Sequence, residues 1–272
     1  MEVLTRYLDI PMVIHRAVDI TAPSSKKEVK HVAIFYVHGG GWRGGARDGF
    51  HRHMDRYVEK GYVSASAGYR LASDNVKLRV QMLDLAQAYD TFVSYLKQRK
   101  SSINKIVVAG SSAGAHLASL LALTNPKVFN PGIKLRNTWV KPWACVSVNG
   151  PGTFEKWENM GPIQKSMGFI IGASYTRSYR RDIELFKKAS PILYVNETSP
   201  GFLFILAGLE HLFPHYLIYQ MAEKLRKHGK YAKSVVVKNA KHGFFYGVNT
   251  PEQKCALKVM DRFLLDIGNG KV

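Results

Sequence analysis

Cysteine is scarce. The chain has two, Cys145 in an apolar run and Cys255 in a predicted C-terminal helix, a count that fits neither a disulfide framework nor a cysteine-built metal site. Long apolar runs are missing too: nothing approaches the roughly 20 residues that cross a bilayer. The opening Met1-Glu2-Val3-Leu4-Thr5-Arg6 also lacks the basic-then-apolar layout of an export signal. The chain therefore reads as soluble and cytoplasmic, without a membrane span. Low-complexity tracts, repeats and long linkers are absent as well. With 46% hydrophobic residues, 11 prolines and 23 glycines, residues 1–272 read as a single domain.

Acidic residues are the scarce charge, 20 against 39 Lys and Arg, which leaves a formal net charge of +19. The basic stretches at 26–30, 177–188 and 224–233 are not interleaved with aromatics on one face, and no nucleic-acid-binding module is recognisable. Nucleic acid is therefore not expected as a partner. The surplus reads as a solvated basic surface, or as attraction towards anionic substrates or surfaces.

What is present is a regular alternation. Residues 4–10 and 12–20 alternate apolar and polar positions around Pro11, which predicts an antiparallel pair. The wholly apolar run at 32–37 predicts a strand covered on both faces. A helix near 50–60, a strand at 62–67, a helix over 78–98 and a strand at 106–109 follow, then a helix from Ser112 and a strand at 144–148. Further on come a strand at 202–207, a helix at 216–228, a strand at 235–237 and a last helix at 251–265. Such alternation implies an α/β fold, a mostly parallel sheet with helices on both faces. Residues 151–199 break the rhythm. They carry Trp157 and Phe169 without a clear strand, and read as a lid insertion over the carboxyl ends of the strands, or else as ordinary packed helices.

Gly110-Ser111-Ser112-Ala113-Gly114 lies directly between a predicted strand and a predicted helix. A sharp turn there holds the Ser112 hydroxyl clear of the sheet, as a nucleophile requires. A serine hydroxyl is protonated near neutral pH and needs a base, which in turn needs a group to hold its tautomer. His242, in Asn239-Ala240-Lys241-His242-Gly243-Phe244, follows the strand at 235–237 and is the candidate base; His211 is a weaker rival. Glu210, at the end of the strand at 202–207, is the candidate acid, since no aspartate lies in that loop. Negative charge developing on a carbonyl oxygen needs fixed N–H donors. His38-Gly39-Gly40-Gly41-Trp42 can supply them through Gly40 and Gly41, together with the amide of Ala113. A phosphate-cradling loop would need a following Lys-Ser/Thr pair, which is missing.

These segments in this order resemble an α/β-hydrolase of the hormone-sensitive-lipase-like and feruloyl-esterase-like (BD-FAE) group of carboxylesterases, and Tyr69-Arg70-Leu71-Ala72 is similar to that group's YRLA segment. The resemblance implies an α/β-hydrolase fold with an eight-stranded, mostly parallel sheet, and hydrolysis of carboxylic esters without cofactor or metal. It puts the nucleophile on Ser112, the base on His242, and the oxyanion amides on Gly40, Gly41 and Ala113. Glu210 stands where the group usually has aspartate, Ser111 where an acidic residue is common, and Ala115 where glycine is frequent. Trp42, Trp157 and Phe169 are expected to shape the substrate pocket. The leading reading is thus a serine esterase for small acyl or aryl esters, with a homodimer left open. Polysaccharide deacetylation or de-feruloylation and aryl formamide cleavage are alternatives, and a non-catalytic hydrolase-fold receptor is a third.

Overall fold

The computed structural model describes residues 3–8, 13–24, 29–154, 161–172 and 183–272. Its core is an eight-stranded sheet: β1 (Leu4–Tyr7), β2 (Ala17–Thr21), β3 (Val32–Val37), β4 (Val63–Ala67), β5 (Lys105–Ser111), β6 (Ala144–Val148), β7 (Gly201–Leu209) and β8 (Ala232–Lys241), in the order β1-β2-β4-β3-β5-β6-β7-β8. β1 and β2 run antiparallel to each other and β2 to β4, whereas every pair from β4 to β8 is parallel.

Side chains alternate across a strand, so a parallel sheet with apolar residues at every position must be covered twice. β3 shows this directly. Phe35 and Val37 join one buried cluster with Met82, Leu85 and Phe92, while Ile34 and Tyr36 join the other with Met54, Leu257 and Phe263. The first face is covered by α2 (Leu78–Gln98), α3 (Ala113–Leu123) and α6 (Tyr216–Lys227), the second by α1 (His51–Glu59) and α7 (Pro251–Gly268).

Where the boundaries differ from the sequence reading, the cause is local. α1 is preceded by a 3-10 turn at Arg47–Phe50, so its first α-helical residue is His51. β8 runs for ten residues rather than three. As the last strand in the order it exposes Lys233, Val236, Lys238 and Asn239, and those positions interrupt the apolar pattern. Within 151–199 the described residues form α4 (Gly161–Ile171) and α5 (Ile183–Lys188), and Met167, Ile170 and Phe186 are buried in the first cluster. Trp157 lies outside the described residues.

One buried ion cluster fixes the segment after β4. Asp84 of α2 is fully buried and accepts from Arg16, from the Arg70 guanidinium at 2.7 and 2.9 Å, and from the Arg70 amide at 2.9 Å. Removing one partner of a buried ion group strands the others. Asp84→Ala should therefore lose about 3–5 kcal/mol of unfolding free energy in a urea titration. A loss below about 1 kcal/mol, the scale of a surface pair, would contradict this.

Candidate active site

The carboxyl ends of β3, β5, β7 and β8 carry four loops to one edge of the sheet. Ser112 follows β5 as the residue before α3, with φ 56° and ψ −124°, a strained conformation for a residue with a Cβ. Its amide donates to the Val148 carbonyl at 2.8 Å, which ties the turn to β6. The turn closes tightly because of Gly114: a Cβ there would lie 2.2 Å from the Val37 carbonyl oxygen and 2.3 Å from that of His38. Any larger residue would push α3 off β3.

Ser112 Oγ–H lies 2.7 Å from His242 Nε2, and His242 Nδ1–H donates to Glu210 Oε2 at 2.7 Å. The Glu210 side chain is 2% exposed and that of His242 14%, so the paired groups are largely shielded from water. The other Glu210 oxygen accepts the amides of His211 (3.0 Å) and Leu212 (2.9 Å). Burial alone would raise the Glu210 pKa, but the bond from His242 and the two amides outweigh it and hold the carboxyl below its usual range. His211 is exposed, and the ring that reaches Ser112 is that of His242; Phe213 meets the His242 ring edge-on at 6.2 Å.

The glycine loop folds into a tight turn in which the Gly40 carbonyl accepts from Gly44 (2.8 Å) and Arg43 (3.1 Å). Gly40 has φ 115°, and a Cβ there would sit 2.3 Å from the Gly44 carbonyl oxygen. Among the described residues the amides of Gly40, Gly41 and Ala113 donate to no acceptor, Ala113 because the first N–H groups of a helix have no intrahelical partner. Three such donors close to Ser112 can serve an oxyanion.

Several supporting residues were not singled out from the sequence. Tyr246, four residues after His242, accepts the Gly39 amide on its hydroxyl at 2.7 Å, joining the base loop to the glycine loop. Burial pushes its phenol pKa up, so the hydroxyl stays protonated. Gln81 donates to the Trp42 carbonyl at 2.9 Å and to that of Arg70 at 3.1 Å. Asn149, left-handed at φ 50°, accepts the Ala207 amide at 2.7 Å where β6 ends beside β7. Tyr69, named from the sequence only as part of the YRLA likeness and given no role there, donates to the His38 carbonyl at 2.8 Å and stacks on the His38 ring at 4.2 Å. No pattern short of the fold reveals these bonds, which span up to 207 positions.

The expected pocket residues fare differently. The Trp42 indole is 4% exposed; it donates to His116 Nδ1 at 3.1 Å and packs edge-on against Phe154, so its side chain is committed to the interior. The Phe169 ring of α4 lies 4.0 Å from the Arg43 guanidinium and 3.9 Å from the Lys77 ammonium, which brings α4 against the glycine loop.

The BD-FAE family model matches residues 18–225, most of the described sheet and three of the four loops. The chain belongs to the BD-FAE family. Among curated relatives, esterase LipQ of Mycobacterium tuberculosis is 28% identical over 231 residues, covering 84% of this chain and 54% of LipQ. Esterase LipC of the same organism is 29% identical over 199 residues, 71% of this chain and 48% of LipC. The chain thus spans about half the length of the curated relatives it matches. Among solved structures, a thermophilic esterase from Thermogutta terrifontis with butyrate bound superposes with a TM-score of 0.73 at 22% identity, covering 93% of this chain and 89% of that one. A truncated carbohydrate esterase from gut microbiota reaches a TM-score of 0.77 at 18% identity, covering 99% and 97%. This BD-FAE chain has the α/β-hydrolase fold.

Three buried histidines near the site set its acid tolerance. Burial lowers His38, His53 and His116 to about 4, so each is neutral in the folded protein at neutral pH. Unfolded, each titrates near 6.5. A lowered folded pKa means that stability is fully present above about 6.5 and is lost as the pH falls towards 4, because the unfolded chain takes up protons that the native state refuses. In urea titrations across that window, each histidine should contribute a fall of about 1.4 kcal/mol per pH unit. His53→Phe should remove one share of the slope, and a pH-independent unfolding free energy would contradict the assignment.

Proposed function

We propose that this chain is a serine carboxylesterase acting on small acyl or aryl esters through a Ser112-His242-Glu210 triad. The observation that carries the reading is the unbroken hydrogen-bonded series from the Ser112 hydroxyl through the His242 ring to the Glu210 carboxylate, beside three unengaged amides. Ser112 Oγ attacks the ester carbonyl as His242 Nε2 takes its proton, and Glu210 holds Nδ1–H and stabilises the imidazolium. The oxyanion is met by the amides of Gly40, Gly41 and Ala113, where one donor typically supplies roughly 2.7–4 kcal/mol. The tetrahedral intermediate collapses as imidazolium returns the proton to the leaving alcohol. Water, deprotonated by the same imidazole, then attacks the acyl-enzyme and releases the acid and the serine hydroxyl.

In this reading α4, from the insertion expected at 151–199, forms part of a cover over the site, with its Phe169 ring packed on Arg43 of the glycine loop. Trp42 acts as a prop for that loop, its carbonyl held by Gln81 and its indole by His116. A polysaccharide-borne ester is the second reading, favoured by the likeness to the gut carbohydrate esterase.

An aryl-linked fluorophosphonate should label the folded protein once, on the peptide that carries Ser112, and p-nitrophenyl acetate should be hydrolysed. A panel of acetylated sugars and feruloyl esters separates the two substrate readings. A folded protein that takes no label, or takes it elsewhere, would overturn the assignment.

A further inference from the structure

Beside the triad lies an apolar ledge that the reaction does not use. Leu209 at the end of β7, Leu212 in the acid loop, and Tyr216 and Tyr219 on the first turns of α6 are all 39–51% exposed, within eleven residues of chain. The ledge adjoins the site on both sides: the Leu212 amide donates to Glu210, and Leu209 pairs in register with Lys241, the residue before His242.

The chain that carries it is mostly basic. Between residues 201 and 250 the sequence holds seven Lys and Arg and two acids, Glu210 and Glu223. Glu210 is engaged by His242, and Glu223 by Lys227 at 2.9 Å. Lys238 and Lys241 are exposed on β8, and neither meets a carboxylate among the described residues. Leucine and tyrosine side chains rimmed by free ammonium groups match an anionic lipid interface, with apolar groups entering the headgroup boundary and cations meeting phosphates. A second copy of this chain would bring like charge against like charge.

We propose that this ledge docks the protein onto an anionic lipid surface and so presents lipid-borne esters to Ser112. The substrate half of the inference rests on the esterase reading; the docking half does not.

The test is co-sedimentation of the full chain carrying Ser112→Ala, so that hydrolysis plays no part. The vesicles are phosphatidylcholine alone, or phosphatidylcholine with about a third phosphatidylglycerol. Binding is expected to the second and not to the first. Tyr216→Ser, Tyr219→Ser and Lys238→Glu together should weaken it roughly tenfold or more. Tyr216→Phe with Tyr219→Phe should retain binding. With Ser112 intact, the triple variant should hydrolyse soluble p-nitrophenyl acetate as the parent does, with an unchanged near-ultraviolet circular dichroism spectrum.

Undiminished binding by the triple variant would assign attraction to net charge rather than to the ledge and overturn the proposal, as would no binding at all. So would a concentration-dependent dimer abolished by the same substitutions, since a second copy would then be the occupant. A protein that binds vesicles but hydrolyses no soluble ester leaves docking standing and removes the esterase reading. One that hydrolyses but does not bind does the reverse.

Discussion

Ser112→Ala should lower kcat for p-nitrophenyl acetate by roughly a millionfold, with KM nearly unchanged. The substitution removes the attacking oxygen and nothing that binds the ester, so the loss falls on the chemical step. A residual acceleration on the order of a thousandfold over water should persist from the amides of Gly40, Gly41 and Ala113, because they need no nucleophile to favour a developing oxyanion. His242→Ala should fall to a similar level, and the double variant little further, since serine and imidazole act as a unit. Additive losses would mean that the two do not share one proton transfer, whatever their 2.7 Å separation.

Glu210→Gln should cost about 10⁴-fold in kcat. The amide keeps the length of the side chain and can still accept from His211 and Leu212, so the loop should hold its place. What changes is the group facing His242 Nδ1. The carboxylate is an obligate acceptor, held in its charged form by a lowered pKa, and it commits the ring to the tautomer whose Nε2 is free to take the serine proton. A glutamine NH₂ turned to Nδ1 selects the other tautomer, with Nε2 protonated and useless as a base. An unchanged thermal midpoint alongside the fall in kcat would assign the effect to chemistry. Activity within tenfold of the parent would remove Glu210 from the reaction.

Much of this was legible in the sequence because the site residues follow strands. The apolar run before Ser112 and the one before Glu210 give both the element and its end, and a strand end in a parallel sheet is where side chains converge. β8 was harder. Exposed lysines and Asn239 along its outer side shortened the readable run to three residues, yet those three sufficed to place His242 after a strand. Periodicity carried no information about Asn149, whose left-handed turn is specified by the Ala207 amide on the neighbouring strand. Nor could it reveal Tyr246, Gln81 or the YRLA tyrosine, since each acts on backbone groups of a distant loop. Trp42 shows the opposite hazard. An aromatic beside a glycine loop suggests a pocket wall, while the His116 acceptor that commits its indole to the interior lies 74 positions away.

The Tyr246 hydroxyl also bears on when the proposed site takes shape. The bond from Gly39 to Tyr246 and the one from His242 to Ser112 join parts of the chain 207 and 130 positions apart. During synthesis the glycine loop and the serine turn emerge long before either partner, and they can assume working geometry only after β8 has been added at the sheet's edge. A nascent chain stalled before residue 242 would carry the serine turn and the glycine loop without the imidazole that the proposed triad needs.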